Sequence, residues 1–389
     1  MKIKLFIISI LFTHQIIAQS YKKIHNKAIV VDTHNDILMK SVDDGMVFDN
    51  NLTGKTHSDL ARWNQGGLDV QLFSVFCDGK KQNPYQYANR QMDSLDAVLA
   101  RNPDKIVKVA NTTALLKAVK QHKIAALFGV EGGHMIEDDL SKLEVFYNRG
   151  ARYMTLTWNN STTWATSAFD ETFTMNMAHK GLTDFGREVV SSMNQLGMIV
   201  DISHVGEQSF WDVINTTTKP IIASHSAVYN LCHHQRNLKD DQVKAIAKNG
   251  GVIQLNFNPG FIDSSFIKKQ RAFMQKHASE NDSLIKTGMH EWNIELFLFT
   301  KYSDEASALR PPLSLLIQHI DYIVNLVGVD YVGLGSDFDG ITITPQQLDD
   351  VTSYPVITKA LLDKGYSKRD ITKILGGNFL RVLKANETK

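Results

Sequence analysis

Short apolar runs rich in β-branched residues recur along the chain, with helix-patterned polar stretches between them. The runs at 28–33, 68–76, 124–130, 153–157, 198–203, 220–224, 252–257 and 331–336 predict eight strands. Runs as continuous as 28–31 and 198–200 suit strands buried on both faces, as in a parallel sheet. The intervening segments carry helix signals. After Thr183 come Asp184 and then Val189, Val190 and Met193 at helical spacing, closed by Gly197. Eight strand–helix units predict an α/β fold, a (β/α)8 TIM-type barrel, with a doubly wound open sheet as the alternative. One connection is oversized. Near 259–313 the chain carries a charged amphipathic stretch (266–277) and the aromatic residues Trp292, Phe297, Phe299 and Tyr302. A segment of that length folds helices of its own, either over the active face or as an interface for a second subunit in a homodimer.

The first twenty residues break the pattern. Lys2 and Lys4 precede an apolar run at 5–12, and Ile16, Ile17 and Ala18 stand before Gln19. This reads as a secretory signal over residues 1–18, leaving a single catalytic barrel over 19–389. The run is too short to be kept as a membrane span, so the mature chain is expected to work in the periplasm or outside the cell. The full sequence of 389 residues is 43% hydrophobic and 21% charged, ordinary for a folded enzyme. With 42 basic against 41 acidic residues there is no field to attract nucleic acid, and no basic run is interleaved with aromatics. Cys77 and Cys232 make no disulfide framework, and both sit among apolar neighbours as buried thiols would.

The chemistry lies where polar residues end the apolar runs. The first strand leads into Asp32-Thr33-His34-Asn35-Asp36, and positions i and i+2 of an extended segment face the same way, so His34 and Asp36 could share one cation. The third runs into Glu131-Gly132-Gly133, where a carboxylate at a tight turn could offer one oxygen to each of two cations. The fifth and sixth strands end in His204 and His225. Each alone reads as a hydrogen-bonded structural histidine. Together, the five residues fall at the strand ends that carry barrel active sites, and their nitrogen and oxygen donors suit two zinc-like ions bridged by Glu131. After the last strand, Asp337 is placed for general acid–base work, whereas Asp339 reads as the cap of the following turn. The nearby glycines lack the lysine and hydroxyl residue of a phosphate-binding loop.

These motifs resemble the membrane dipeptidase (renal dipeptidase) family of zinc peptidases. The likeness runs through Val31-Asp32-Thr33-His34-Asn35-Asp36, Glu131-Gly132-Gly133-His134, Gly181-Leu182-Thr183-Asp184-Phe185-Gly186, Asp201-Ile202-Ser203-His204 and Ala223-Ser224-His225-Ser226. It continues through Arg236-Asn237, Gly335-Ser336-Asp337-Phe338-Asp339-Gly340 and Gly376-Gly377-Asn378-Phe379-Leu380-Arg381. The resemblance implies an amidohydrolase-like barrel that hydrolyses dipeptides, often with a D-residue at the C-terminal position. It implies that His34 and Asp36 hold one zinc, His204 and His225 the other, and that Glu131 bridges them. It further implies that Arg236 grips the substrate carboxylate and that Asp337 handles the proton and meets the free amino group. The chain departs from the family in three places. Trp158 stands where relatives similar to the renal enzyme carry a histidine that steadies the oxyanion, so that support is either weaker here or supplied by Asn159 or Asn160. Residues 256–261 replace a tyrosine-containing segment found in some relatives, and Asn160 stands near the place of the disulfide partner of Cys77. Two alternatives to a dipeptidase share the ligand set: a two-metal barrel acting on cyclic amides, lactones or phosphoesters, and a catalytically weakened homologue that binds metal and peptides.

Overall fold

The computed structural model describes residues 21–388, so the export signal read at 1–18 lies outside the described residues. Nine parallel strands form: β1 (Val31–Asn35), β2 (Val70–Phe76), β3 (Ile106–Lys108), β4 (Ile124–Glu131), β5 (Ala151–Thr155), β6 (Ile199–Asp201), β7 (Ile222–Ser226), β8 (Val252–Leu255) and β9 (Val332–Leu334). Eight of them run in the order β1-β2-β4-β5-β6-β7-β8-β9, and β3 pairs only with β4, off that path. Those eight are the predicted strands, and β3 is an addition. Its three residues, Ile106 to Lys108, follow Lys105 and end in a lysine, too short a run to stand out.

The sheet closes from β9 back to β1 without a full ladder. Asn35 bridges Phe338, Asp36 N–H donates to the Phe338 carbonyl (3.0 Å) and Asp337 N–H to the His34 carbonyl (3.2 Å). Below this seam the buried Asp32 carboxylate accepts from Ser336 N–H (2.8 Å), the Ser336 hydroxyl (2.6 Å) and the Tyr354 hydroxyl (2.5 Å). The result is a nearly closed eight-stranded barrel, not the open doubly wound sheet.

Side chains alternate across each strand, which fixes what the barrel holds. Val70 and Leu72 of β2, Ala125 and Leu127 of β4, and Val31, Ile199, Ile222 and Val252 of other strands pack into one cluster with Phe379, Val382 and Leu383 of the C-terminal helix Asn378–Asn386. Glu131 shares the parity of Ala125 and Leu127, so the same alternation that fills the interior with apolar groups delivers a carboxylate at its top. The opposite faces, with Ala126, Phe128 and Val130, pack against the outer helices. One of these, Asp184–Leu196, begins with Thr183 accepting from Gly186 N–H and ends at Gly197 in the left-handed region, as its sequence predicts. The Gly376-to-Arg381 motif is structural: Asn378 donates to the Val329 (2.7 Å) and Val332 (2.8 Å) carbonyls and ties the last helix to β9.

Between β8 and β9 the long connection folds into helices Pro259–Ile262, Phe266–Lys276, Ala278–Lys286, Glu291–Lys301 and Ser303–Leu309. Phe266, Phe273, Ile294, Leu298, Phe299, Ala306 and Leu309 form a small core of their own with Ile343. No helix among the described residues is long and apolar enough to cross a membrane.

Candidate metal centre and substrate pocket

His34, Asp36, Glu131, His204 and His225 converge at the C-terminal mouth of the barrel, although their positions on the strands differ in detail from the expectation. His34 lies inside β1, Asp36 precedes the helix Ile37–Asp43 without a side-chain capping bond to it, Glu131 is the last residue of β4, and His225 lies inside β7. His204 stands three residues beyond β6 with a φ of 66°. The carboxylate of Glu131 is at the centre. Its Oε2 lies 3.1 Å from His34 Nε2, and its Oε1 lies 2.9 Å from His204 Nε2 and 3.4 Å from His225 Nε2. Each oxygen therefore faces a different set of imidazoles. Asp36 Oδ2 is 3.6 Å from His34 Nε2, and its Oδ1 is buried without a hydrogen-bond partner.

The far nitrogens of the three histidines fix their tautomers. Tyr153 donates its hydroxyl proton to the Thr33 carbonyl (2.9 Å), so its oxygen accepts from His34 Nδ1–H (2.8 Å). Ser224 donates to Asp201 (2.6 Å) and so accepts from His225 Nδ1–H (2.8 Å). Asn159 Oδ1 accepts from His204 Nδ1–H (3.1 Å). All three Nε2 atoms are thereby turned toward Glu131, the arrangement of metal-binding histidines whose other nitrogen is held by a neighbour. Tyr153 reaches His34 only because residue 129 is glycine: a Cβ there would lie 1.9 Å from the Tyr153 ring.

The donor set fits cations. The Nε2 atoms of His204 and His225 are 3.1 Å apart. Two nitrogens bound at 2.0–2.1 Å to one tetrahedral ion lie roughly 3.3 Å from each other. Burial alone would push the His34 imidazole down, but Glu131 and Asp36 outweigh it and raise it to about 10. Burial drives His204 down to about 3, helped by the charge of Arg236. The pocket thus draws positive charge onto one flank and keeps neutral imidazole ligands on the other.

Asp337 joins His34 and Asp36 in a group whose ligand atoms all lie within 4.8 Å of one another. Its Oδ2 accepts from Asn256 Nδ2 (2.9 Å), and burial lifts its carboxyl to about 6 against the pull of His34. Its φ is 64°, a conformation few residues tolerate outside functional turns. Gly340 presses against this group: a Cβ there would stand 2.2 Å from Asp36 Oδ2 and 2.7 Å from Asp337 Oδ1. Asp339 does not cap its own turn. It accepts from His57 N–H (2.7 Å) and the Ser58 hydroxyl and so pins a distant loop beneath the site.

A cavity of about 790 Å³ opens over the ligands, lined among others by Arg236, Phe261, Trp158, Asn159, Lys40 and Trp292. Arg236 donates from Nη2 to the His225 carbonyl (3.2 Å), its guanidinium lies 5.4 Å from the Phe261 ring centroid, and its Nε is buried without a partner. Trp158 sits between Phe76 (4.9 Å) and His204 (6.2 Å). Asn159 lines the cavity, while Asn160 packs over Gly79 and is not among the cavity residues. Cys77 and Cys232 are free and buried.

Sequence reasoning missed Tyr153, Ser224, Asn256, Asp32 and Asp201. For the two aspartates a signal was present. A carboxylate within an apolar strand must find hydrogen-bond donors if it is buried, and each accepts from the backbone N–H two residues on, of His34 and Ser203 respectively.

Comparison with known proteins agrees with this geometry. The family model for membrane dipeptidase (Peptidase family M19) matches residues 18–389. An uncharacterized dipeptidase of Schizosaccharomyces pombe is 33% identical, covering 95% of this chain and 83% of the relative. The chain belongs to the membrane dipeptidase family. It is accordingly a metallopeptidase, a peptide-bond hydrolase of the dipeptidase class. Solved structures share the fold. A probable dipeptidase of Pseudomonas aeruginosa superposes with a TM-score of 0.80 at 24% identity, covering 96% of this chain and 98% of the other. A metallopeptidase of Rhodobacter sphaeroides, liganded with a phosphinate mimic of the dipeptide L-Ala-D-Ala, gives 0.75 at 21%, covering 93% and 100%.

Proposed function

We propose that the chain is an exported dipeptidase holding two zinc ions, one by His34 and Asp36, the other by His204 and His225, with Glu131 shared between them. The observation that carries this reading is the orientation of Glu131, each oxygen of which meets a different set of Nε2 atoms. Histidine and carboxylate donors suit zinc. When bound, such ions acidify a water and polarise the scissile carbonyl. Asp337 then takes the proton of the attacking water and returns it to the leaving amine, and in the ground state it meets the free amino group of the substrate. Arg236 pairs with the C-terminal carboxylate: its buried Nε and the planar fork beside Phe261 are matched by two carboxylate oxygens. That pairing sets the register and excludes peptides extended beyond the second residue.

Trp158 can donate one hydrogen bond but cannot become a cation, so oxyanion support comes from neutral donors. Asn159 lines the cavity with an amide nitrogen that makes no hydrogen bond among the described residues. Acceptance of a D-residue at the second position is supported by the family likeness and by the ligand of the Rhodobacter structure. Export is supported by the basic start and the apolar run at 5–12.

The test is a panel of L-Ala-L-Ala, L-Ala-D-Ala and their C-terminal amides on zinc-loaded protein. Arg236→Met is expected to lower kcat/KM on the free dipeptides about 10²- to 10³-fold, the usual cost of removing one partner of a buried charge pair. The amides should be poor substrates for both proteins and differ little between them. Equal loss on amides and free acids would contradict the role given to Arg236.

A further inference from the structure

The cavity lining includes a cation, Lys40, that the reaction leaves unused. Lys40 is only 5% exposed and follows Asp36 by one helical turn, on the face that turns toward the pocket. Its Nζ makes no hydrogen bond among the described residues. It lies 4.5 Å from the centroid of the Trp292 ring, which the inserted helix Glu291–Lys301 lays over it, and 3.9 Å from Asp339 Oδ1. That distance is too long for a hydrogen bond, and the oxygens of Asp339 are already taken by His57 N–H and the Ser58 hydroxyl. Asp43, on the rim of the same cavity, is engaged by the Tyr87 hydroxyl (2.7 Å) and by Lys81 (3.9 Å). The Lys40 ammonium lines the cavity with three donors and no acceptor, and a ligand that displaced the cavity's water would have to meet them. Trp292 supports the charge through its ring face but accepts no conventional hydrogen bond.

Position decides which part of a substrate would meet it. Arg236 follows β7 and is tied to the His225 carbonyl. Lys40 follows β1, lies under Trp292, and approaches Asp339 of the loop that also carries Asp337 and Gly340, and a Cβ at Gly340 would meet Asp36 and Asp337. Arg236 and Lys40 thus approach the ligand cluster from different strands, Lys40 beside the loop that carries Asp337, the residue assigned above to the substrate's amino group. We propose that Lys40 and Trp292 form a specificity pocket for a carboxylate side chain on the N-terminal residue, so that the substrates are dipeptides beginning with Glu or Asp. This rests on the dipeptidase reading and adds a substrate class to it. The cavity, at about 790 Å³, has room for the longer side chain.

The experiment compares kcat/KM for L-Glu-L-Ala, its near-isosteric neutral partner L-Gln-L-Ala, and L-Ala-L-Ala on zinc-loaded wild-type protein and on Lys40→Met and Lys40→Gln variants. The wild type is expected to favour Glu over Gln by about tenfold to a hundredfold, the range for one hydrogen bond between charged groups. Both variants should bring that ratio near one. A wild-type ratio near one overturns the pocket even if neither variant folds. So does a variant that loses activity on all three substrates in proportion, which is the mark of a purely structural lysine. Failure of the wild type to cleave any of the three would overturn the dipeptidase reading itself, a result distinct from equal cleavage of the Glu and Gln peptides.

Discussion

Glu131→Gln is expected to lower the metal content of the protein and to reduce kcat/KM on dipeptides by more than about 10³-fold. Perturbing a group that only orients a ligand typically costs about 10- to 100-fold in metal affinity, and Glu131 is placed to be a ligand twice over. The glutamine amide has one oxygen and one NH2 group. If its oxygen faces His34, its NH2 faces His204 and His225, and if it is flipped the NH2 faces His34; on that side the amide donates hydrogen bonds and cannot bind a cation. Neither orientation restores two anionic donors. Elemental analysis after dialysis against a buffered chelator, alongside turnover, is the check. A variant that keeps two ions per chain and near-normal turnover would remove Glu131 from the centre of the site.

Asp337→Asn separates proton handling from metal binding. Asparagine tolerates the left-handed backbone at this position, and its side-chain oxygen can still accept from Asn256 Nδ2, so the local fold should survive. Metal content is expected to stay at the wild-type level while kcat falls about 10²- to 10⁴-fold, the usual contribution of a positioned acid–base group. The loss should appear in kcat more than in KM, because the proton is needed in the transition state. Asp337 also lies close enough to His34 and Asp36 to be a ligand itself, and this variant decides between the roles. Loss of metal along with kcat would mean that the carboxylate binds the ion, and unchanged kcat would leave it no part in the chemistry.

The eight barrel strands were legible because each is buried on both faces and writes a continuous apolar run, while β3 is three residues long and pairs on one side only. The ligands were legible for the converse reason, as polar residues terminating runs that otherwise admit none. What could not be read was any contact set by the closing of the barrel. Tyr153 looks like an ordinary strand residue until Gly129 lets its ring cross to His34. The Asp-Phe-Asp-Gly sequence suggests a local turn cap for Asp339, yet its partners, His57 and Ser58, lie in a loop far back in the chain. Lys40 sits on a short helix where a lysine ordinarily marks the solvent face. Only the helices between β8 and β9 bring Trp292 over it and enclose it.

The central claim is that five side chains, carried by four strands or the segments that follow them, cage a pair of cations around one carboxylate. Anomalous diffraction at the zinc edge from crystals of the zinc-loaded protein tests this most directly. The expected result is two peaks sharing Glu131, one against His34 and Asp36 and the other against His204 and His225. A single peak, or peaks out of contact with Glu131, would contradict it.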